Sequence, residues 1–272
     1  MHFYWEGKDF SYLHYLSVKS FVDQNPFWEC IIHTNKEGVD SFDIPWRTGE
    51  QSKEYKGKNY FSKLQDLDVT VREFDFATIG VSPRMHPVQK SDLLRWHLLS
   101  TEGGGWSDAD ILYTRPLSIL ESQMKVDMDC CVCITDSPSR HHVIGFYLAS
   151  ENNEFFADVM AKAYQPGYQD YQMFGNVLLG KYYPTMESIR TKFPDLMVEN
   201  LNREALYSYQ WFETPVLFKG FAKKHRQEHI IGVHWYNGSE DSRDFINNFE
   251  EDLIDISSET TIMSLIKTVL FP

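Results

Sequence analysis

The sequence has few cysteines, a deficit of positive charge and no long apolar run. Four cysteines in 272 residues are too few for a disulfide scaffold, and three of them lie in MDCCVCIT, a stretch typical of a buried strand. Lysine and arginine number 26 against 39 aspartates and glutamates, which leaves a net charge of −13. Because nucleic-acid-binding proteins need a basic face, this composition argues against nucleic acid as a partner.

No stretch reaches the roughly 18 apolar residues that a membrane-spanning helix needs, so we expect no transmembrane segment. The opening MHFYWEGKDF lacks the basic and apolar pattern of a signal peptide. We therefore expect a cytoplasmic protein with reduced thiols. A protein of this charge that binds an anionic small molecule must offset the repulsion locally, and a bound cation does so.

Stretches with the strand pattern alternate with stretches that have the helix pattern. The chain opens with a β-α-β pattern, formed by HFYW, the amphipathic YLHYLSVKSFVDQN and WECIIHT. This arrangement places ligands at the carboxyl ends of strands. PVQKSDLLRWHLLST is the clearest helix. The alternation predicts an α/β fold with a mixed central sheet flanked by helices. Further strands are expected in VTVREFDF, WSDADILY, CCVCIT, VIGFYLAS and IIGVHWY, and further helices over 153–164 and 169–180.

A glycine run leads into two aspartates. In GGGWSDADIL, Asp108 and Asp110 are separated by Ala109 at the start of an expected strand. Alternate side chains of a strand share a face, so both carboxylates can converge on one bound object. Mg²⁺ and Mn²⁺ prefer oxygen ligands and bridge carboxylates to phosphates, which makes a divalent cation the expected occupant. A solvated strand end is the alternative, because D-x-D also occurs by chance.

Asp92 and Arg95 lie three residues apart on the helix that precedes these aspartates. An aspartate can accept hydrogen bonds from sugar hydroxyls, and an arginine can donate several in a planar fork. A surface ion pair worth less than about 1 kcal/mol is the alternative. Because the helix leads through glycines directly to Asp108, we predict one shared site.

These motifs together resemble those of the family 32 glycosyltransferases and of the related large clostridial glucosylating toxins. KSDLLRWHLLSTEGGGWSDADILYTRPL is similar to their S-D-x-x-R helix, glycine pair, D-x-D strand and following Pro-Leu. FYWEG with SVKSFVDQNPFWECIIHTN is similar to the opening of that family, and GVHWYNGS to a late segment of it. The resemblance covers residues 1–35 and 84–118 well, and 230–240 less closely.

The resemblance implies a single domain of the GT-A type over residues 1–272. Residues 1–118 would form the nucleotide-sugar-binding half, and residues 119–272 the acceptor half with a C-terminal metal and diphosphate loop. The implied activity is a transfer of sugar, with retention of configuration, from a nucleotide-diphosphate donor to a glycan or other hydroxyl acceptor. Mn²⁺ or Mg²⁺ would be the cofactor, with UDP-sugars favoured over GDP-sugars as donors.

The resemblance also implies residue roles in the first half of the chain. Trp5 would stack on the nucleobase, with a place in the core of the first strand as the alternative. Asp92 and Arg95 would hold the donor sugar. Trp106 and Ser107 stand where the family usually has other residues before its D-x-D.

The implied metal ligands come from both ends of the chain. Asp108 would contact the ribose or sugar and the metal, and Asp110 would ligate the metal directly, with Ala109 between them at the donor. His234 would be a further ligand, although a histidine considered alone is more often a core or surface residue than a ligand. The implied contacts near the diphosphate are Trp235, the backbone of Asn237 and Gly238, and Ser239.

Several other residues are weaker candidates. MFGNVLLG only partly matches the family's segment beside the anomeric carbon, so Asp170 and Gln172 are either contacts there or exposed polar residues. His141 and His142 are expected in a loop, with an acceptor contact as the alternative. HRQEH, residues 225–229, matches the H-x-x-E-H pattern of zinc peptidases, but it runs directly into a strand and is expected to be a solvated connection.

Two other classes of function would use the same carboxylates. One is a catalytically silent protein that binds nucleotide-sugars or glycans, and the other is a metal-dependent nucleotidyl or phosphodiester enzyme. The acceptor of a transferase could be soluble, on a cytosolic leaflet reached through a partner, or part of a microbial or viral glycan assembly pathway.

Overall fold

Residues 1–37, 54–125, 127–135, 141–164, 172–254 and 257–271 are described by a computed structural model. A seven-stranded mixed sheet lies at its centre, and a two-stranded sheet packs beside it. The strands are β1 (His2–Tyr4), β2 (Ile31–Asn35), β3 (Thr70–Phe74), β4 (Gly104–Ser107), β5 (Ile111–Tyr113), β6 (Cys130–Val132), β7 (Phe146–Ala149), β8 (Val198–Asn200) and β9 (Gly232–His234).

The first two long helices begin at residues that favour a helix start. Ser11 caps the first helix by accepting a hydrogen bond from the backbone of His14, and Pro87 occupies the first turn of the second. The helices are α1 (Tyr12–Gln24), α2 (Pro87–Thr101), α3 (Ser118–Glu121), α4 (Glu154–Ala163), α5 (Asn176–Tyr182), α6 (Met186–Lys192), α7 (Glu204–Tyr207), α8 (Thr214–Phe218), α9 (Glu240–Ile246) and α10 (Thr261–Leu270). Short 3₁₀ turns cover Phe61–Asp66, Phe76–Ile79, Trp211–Glu213, Lys224–Arg226 and Glu251–Leu253.

The strand order in the central sheet is β3-β2-β1-β4-β7-β6-β8. The first four of these strands are mutually parallel, and β7 runs antiparallel to both β4 and β6. The chain proceeds outward from β1 to β3 on one side and returns to β4 on the other. Open α/β sheets bind ligands at such a reversal, outside the carboxyl ends of the strands, which here are those of β1 and β4. The predicted α/β fold with a mixed central sheet flanked by helices is confirmed.

Both faces of the central sheet are covered by helices. In β7, Phe146 and Leu148 pack in one core cluster with residues of α1 and α10, whereas Tyr147 packs in the other with residues of α2 and α4. Burial on both faces explains the continuous apolar runs of these strands. All four cysteines are buried and free, and burial raises the pKa of Cys130 to about 12.

The expectation that WSDADILY forms one strand is wrong. Strand β4 ends at Ser107 and β5 begins at Ile111, and the two strands belong to different sheets. Asp108–Asp110 therefore form the connection, so strand alternation does not bring the carboxylates together. Instead β5 leaves the central sheet and pairs with β9, with Ile111 opposite His234. This pairing carries a residue from late in the chain to the aspartates.

The expected helix over 169–180 is observed as α5, which begins at Asn176. Residues 165–171 lie outside the described residues. The helix expected over 153–164 is confirmed as α4. Within the described ranges, none of the helices combines the length and apolar character needed to cross a membrane.

A buried histidine pair lies in the sheet between β1 and β2. His2 Nδ1 is 3.0 Å from His33 Nε2. Burial lowers the pKa of His2 to about 4 and that of His33 to about 3. Unfolded histidines have a pKa near 6.5, so protonation favours the unfolded chain. The stabilising contribution is complete above pH 6.5 and is lost as the pH falls toward 4.

We expect the free energy of unfolding to fall between pH 6.5 and pH 4, by up to about 1.4 kcal/mol per pH unit for each histidine that takes up a proton. His33→Leu should make this dependence shallower in urea denaturation at several pH values. His229→Leu is the control, because that ring lies at the surface beside Glu204. Identical slopes for wild type and His33→Leu would contradict the assignment.

Candidate active site

Three potential metal ligands meet at the carboxyl end of β4. Each of Asp108, Asp110 and His234 offers one potential ligand atom, and these three atoms lie within 4.8 Å of one another. His234 Nε2 is 3.1 Å from Asp110 Oδ1. The structure thus brings together the three residues that the sequence analysis assigned to a metal.

Asp108 is held in place from three directions. Its backbone N–H donates to the carbonyl oxygen of Gly145 at 2.8 Å. Its Oδ1 accepts from Trp106 Nε1 at 2.9 Å and from Arg95 Nη2 at 3.0 Å. Trp106 therefore orients the first aspartate. The second oxygen, Oδ2, lies beside Gly145.

Asp110 accepts two hydrogen bonds from the loop that follows β9. Its Oδ2 accepts from the backbone N–H of Asn237 at 2.9 Å, and its carbonyl oxygen accepts from the N–H of Trp235 at 2.9 Å. The loop turns at Tyr236, a non-glycine residue with a φ of 56°. The ring of Tyr236 packs edge-on against that of His234, with centroids 4.4 Å apart. Two segments that are distant in the sequence are thus joined by hydrogen bonds and a ring contact.

Asp110 and His234 shift the pKa of one another. Burial alone would raise the pKa of Asp110, but His234 and the Asn237 N–H hold it below its usual value. Burial alone would lower the pKa of His234, but Asp110 raises it above its usual value. Each side chain therefore favours the charged form of the other.

The donor set fits a divalent cation. Two carboxylates and an imidazole are ligands that Mn²⁺ and Mg²⁺ accept in proteins. His234 Nδ1 is buried and has no hydrogen-bond partner among the described residues. A buried polar atom of this kind is costly unless another group satisfies it, and Nε2 is the ring nitrogen that lies beside Asp110.

Arg95 and Asp92 do not form the surface ion pair that was the alternative. Both are almost completely buried. Arg95 Nη1 is 3.2 Å from Asp92 Oδ1, and its Nη2 reaches Asp108, so this arginine joins α2 to the aspartates. Burial, together with the nearby Asp108 and despite Arg95, raises the pKa of Asp92 to about 7. A Cβ on Gly175 would stand 2.8 Å from Asp92 Oδ2, so Asp92 lies directly beneath that glycine.

Trp5 lies at the carboxyl end of β1. Its ring packs on Phe10 and His14, with centroid distances of 5.1 and 4.4 Å. The indole Nε1 is buried without a hydrogen-bond partner in the described part of the chain. His14 also packs on Trp235, so aromatic contacts connect Trp5 to the loop after β9.

Of the residues predicted near the diphosphate, Trp235 and Ser239 have buried side chains. The Trp235 ring is fully buried, and its Nε1 donates to Ser17 Oγ at 3.0 Å, so it is directed into the core beside α1. Ser239 is also buried and caps α9 by accepting from the N–H of Ser242. Gly238 lies in the same turn. Asn237 offers its backbone, which already binds Asp110.

The weaker candidates lie apart from the three ligands or have other partners. His142 is buried, with Nε2 2.7 Å from the carbonyl oxygen of Tyr183. His141 Nδ1 is 3.2 Å from Thr135 Oγ1. The Gln172 carbonyl accepts from the backbone at the start of α5. Asp170 lies outside the described residues.

The HRQEH segment does not form a shared zinc site. His225 is buried, with Nδ1 3.2 Å from the Tyr209 hydroxyl and Nε2 3.4 Å from Ser264 Oγ. His229 instead contacts Glu204 at 3.2 Å. The segment begins within the 3₁₀ turn Lys224–Arg226 and leads to β9, and the expectation of a solvated connection is wrong for His225, which is buried.

Sequence reasoning missed Gly145 and Tyr207. The Tyr207 ring lies 5.2 Å from that of His234, and its hydroxyl is buried without a hydrogen-bond partner among the described residues. A Cβ on Gly145 would stand 2.7 Å from that hydroxyl and 2.9 Å from Asp108 Oδ2. The glycine in VIGFYLAS was the available signal for this close approach, whereas nothing in the sequence indicates Tyr207.

Gly145→Ala should therefore displace Tyr207 or Asp108. We expect Mn²⁺ affinity to fall by about tenfold, as is typical when the groups that orient metal ligands are disturbed. Gly180→Ala is the matched control, because a Cβ there meets nothing within 4 Å. Titration calorimetry of both variants measures the difference, and equal Mn²⁺ affinities would show that the space at Gly145 is unimportant.

Comparison with known proteins gives one family match. A family model described as capsular polysaccharide synthesis protein matches residues 81–211, slightly less than half of the chain. This span contains Asp92, Arg95, Asp108 and Asp110 but not His234. No curated protein sequence matches.

Solved glycosyltransferase structures are similar at low identity. The PaToxG glycosyltransferase is 17% identical with a TM-score of 0.48, over 71% of this chain and 73% of its own. The glycosyltransferase GlyE from Streptococcus pneumoniae TIGR4 is 13% identical with a TM-score of 0.47, over 97% of this chain and 62% of its own. An active-site mutant of LgtC is 14% identical with a TM-score of 0.41, over 86% of this chain and 87% of its own.

Proposed function

We propose that this protein is a metal-dependent glycosyltransferase with a domain of the GT-A type. It would transfer a sugar from a nucleotide-diphosphate-sugar to a glycan or other hydroxyl acceptor. The observation that carries the proposal is the convergence of Asp108, Asp110 and His234 at the carboxyl end of β4. The match to a capsular polysaccharide synthesis family supports a role in glycan assembly.

Asp108, Asp110 and His234 would hold Mn²⁺ or Mg²⁺. When bound, the cation would contact the diphosphate and offset the negative charge that develops on the departing nucleoside diphosphate. This chain carries a net charge of −13, so it needs such a local positive charge to hold a diphosphate.

The surrounding residues would orient the donor. Arg95 fixes Asp108 and adds a positive charge in a buried setting, where electrostatic interactions are strong. Arg95 and Asp92 would together determine where the donor sugar lies, so that an acceptor oxygen can approach the anomeric carbon. Residues 1–118 would bind the donor, and residues 119–272 would bind the acceptor and complete the metal site.

We propose that transfer proceeds with retention, on the face from which the diphosphate departs. The acceptor oxygen would form the new bond to the anomeric carbon while the bond to the diphosphate oxygen breaks. A diphosphate oxygen would accept the proton of the acceptor hydroxyl. UDP-sugars are the favoured donors, and GDP-sugars the second choice.

Product identification separates the candidate functions. The protein is incubated with a panel of UDP- and GDP-sugars, with and without Mn²⁺, and the nucleotides are identified. Release of a nucleoside diphosphate that depends on Mn²⁺ supports the transferase. Release of a nucleoside monophosphate or pyrophosphate would indicate a nucleotidyl or phosphodiester enzyme. Binding without any release would indicate a silent binding protein.

Trp5→Ala tests the proposed stacking on the nucleobase. If the ring stacks on the base mainly in the ground state, donor KM should rise by about tenfold or more while kcat changes less. Trp28→Ala is the control, because Trp28 lines a cavity at the opposite, amino-terminal end of the parallel strands. An unchanged donor KM in Trp5→Ala would assign Trp5 to the core alone.

A further inference from the structure

A short helix places a tyrosine beside the candidate metal ligands. Helix α7 ends at Tyr207, and within that helix the carbonyl oxygen of Ala205 accepts a hydrogen bond from the backbone N–H of Ile231 at 2.9 Å. Ile231 immediately precedes β9, the strand that ends at His234. The Tyr207 ring packs against that of His234, with centroids 5.2 Å apart. The place of this tyrosine is therefore tied to that of a candidate ligand.

The hydroxyl group of Tyr207 is a buried hydrogen-bond donor. Tyr207 is only 2% exposed, and its hydroxyl has no hydrogen-bond partner among the described residues. Burial raises the pKa of Tyr207 well above its ordinary value and Asp108 raises it further, so the hydroxyl keeps its proton. Buried donors without an acceptor are rare in folded proteins because they are costly. We therefore expect an acceptor for this hydroxyl close by.

A carboxylate oxygen of Asp108 borders the same small space as the hydroxyl. A Cβ on Gly145 would stand 2.7 Å from the Tyr207 hydroxyl oxygen and 2.9 Å from Asp108 Oδ2. The same point is 3.3 Å from His234 Cδ2, the ring carbon bonded to Nε2. Among the described residues, the side-chain hydrogen bonds that Asp108 accepts both end on Oδ1. Oδ2 is therefore the acceptor that the hydroxyl can reach with a small shift of either side chain.

We propose that Tyr207 is a positioning residue of the metal site, whose hydroxyl donates a hydrogen bond to Asp108 Oδ2. An ionised carboxylate oxygen has two acceptor positions, so Oδ2 can bind a cation while it accepts from Tyr207. Because Trp106 and Arg95 hold Oδ1, this bond would fix the second oxygen as well and thus the direction of the ligand. The inference rests on the metal site of the proposed function, but not on the transfer of sugar.

Tyr207→Phe removes the hydroxyl and retains the ring that packs against His234. We expect its Mn²⁺ affinity to fall by about tenfold in titration calorimetry, as is typical when a group that orients a metal ligand is lost. The electron paramagnetic resonance spectrum of bound Mn²⁺ should change, because Oδ2 of Asp108 is no longer held. The urea midpoint should not fall, because this hydroxyl has no partner among the described residues to leave unpaired. A purely structural role would instead lower the urea midpoint and leave the spectrum unchanged.

Tyr209→Phe is the matched control, and a double substitution tests the shared space. Tyr209 is also buried, but its hydroxyl lies 3.2 Å from His225 Nδ1 rather than beside a candidate ligand. This variant should lose stability and keep the wild-type Mn²⁺ affinity. In the Tyr207→Phe background, Gly145→Ala should lower Mn²⁺ affinity less than it does alone, because one of the two oxygens near its Cβ is gone. The same loss in both backgrounds would contradict the shared space.

The outcomes separate this inference from the proposed function. Equal Mn²⁺ affinities in wild type and Tyr207→Phe would overturn the positioning role and leave the proposed transferase intact. A donor KM that rises in Tyr207→Phe while its Mn²⁺ affinity stays at the wild-type value would also overturn it, and would assign the hydroxyl to the donor. Mn²⁺ binding that Tyr207→Phe weakens, in a protein that releases no nucleotide from any nucleotide-sugar, would support the positioning role while contradicting the transferase.

Discussion

Asp110→Asn is expected to abolish metal-dependent turnover of the donor while leaving the fold intact. Asparagine has nearly the same size, and its amide oxygen can still accept from the N–H of Asn237, a hydrogen bond that is 2.9 Å long here. The substitution removes the negative charge that pairs with His234 and would bind the cation. Substitutions of groups that only orient metal ligands lower metal affinity by up to about 100-fold. Loss of a direct ligand should therefore lower Mn²⁺ affinity by about 100-fold or more.

Titration calorimetry with Mn²⁺, and nucleotide release from the donor, measure this effect. Asp23→Asn is the control, since Asp23 forms a surface ion pair with Lys19 on α1, away from the site. Circular dichroism verifies that both variants are folded. Full Mn²⁺ affinity and turnover in Asp110→Asn would contradict the assigned metal site.

Arg95→Met should produce the largest loss of stability. The guanidinium group lies between Asp92 and Asp108 and is itself almost completely buried. Removing one partner from a buried charge network leaves carboxylates without compensation, which costs about 3–5 kcal/mol of unfolding free energy. Methionine retains much of the side-chain volume, so the loss reports on charge more than on packing.

Urea denaturation of Arg95→Met measures this loss, and Arg72→Met provides a matched comparison. Arg72 donates to both carboxylate oxygens of Glu102, at 3.1 and 2.9 Å, but this ion pair is solvent-exposed. Its removal should cost less than about 1 kcal/mol. Adding Asp92→Asn to Arg95→Met should recover part of the loss. Equal losses in the two arginine variants would show that burial gives Arg95 no special role.

Local patterns predicted much of the fold. The helix from Pro87 to Thr101, the β-α-β opening and the buried cysteine-rich strand all follow from periodicity and from residues such as Ser11 and Pro87. The convergence of Asp108, Asp110 and His234, the three candidate metal ligands, was also expected from the sequence. That part depended on resemblance, because no local pattern connects His234 to an aspartate 124 positions earlier.

Non-local pairing accounts for what the sequence did not predict. The break between β4 and β5 arises because β5 pairs with β9, and alternation within WSDADILY contains no sign of that partner. The inward direction of the Trp235 ring depends on Ser17 in α1, and Tyr207 reaches the site only through the fold. Gly145 is different, since a glycine at the start of a strand indicates a close approach even when its neighbours are unknown.

The central claim is that a divalent cation binds between Asp108, Asp110 and His234. Anomalous diffraction from crystals soaked with Mn²⁺ and UDP tests it most directly. We expect a manganese peak within coordination distance of all three side chains, with the diphosphate of UDP on its open side. Crystals in which UDP is bound while no manganese peak lies there, and Asp110 remains paired with His234, would contradict it.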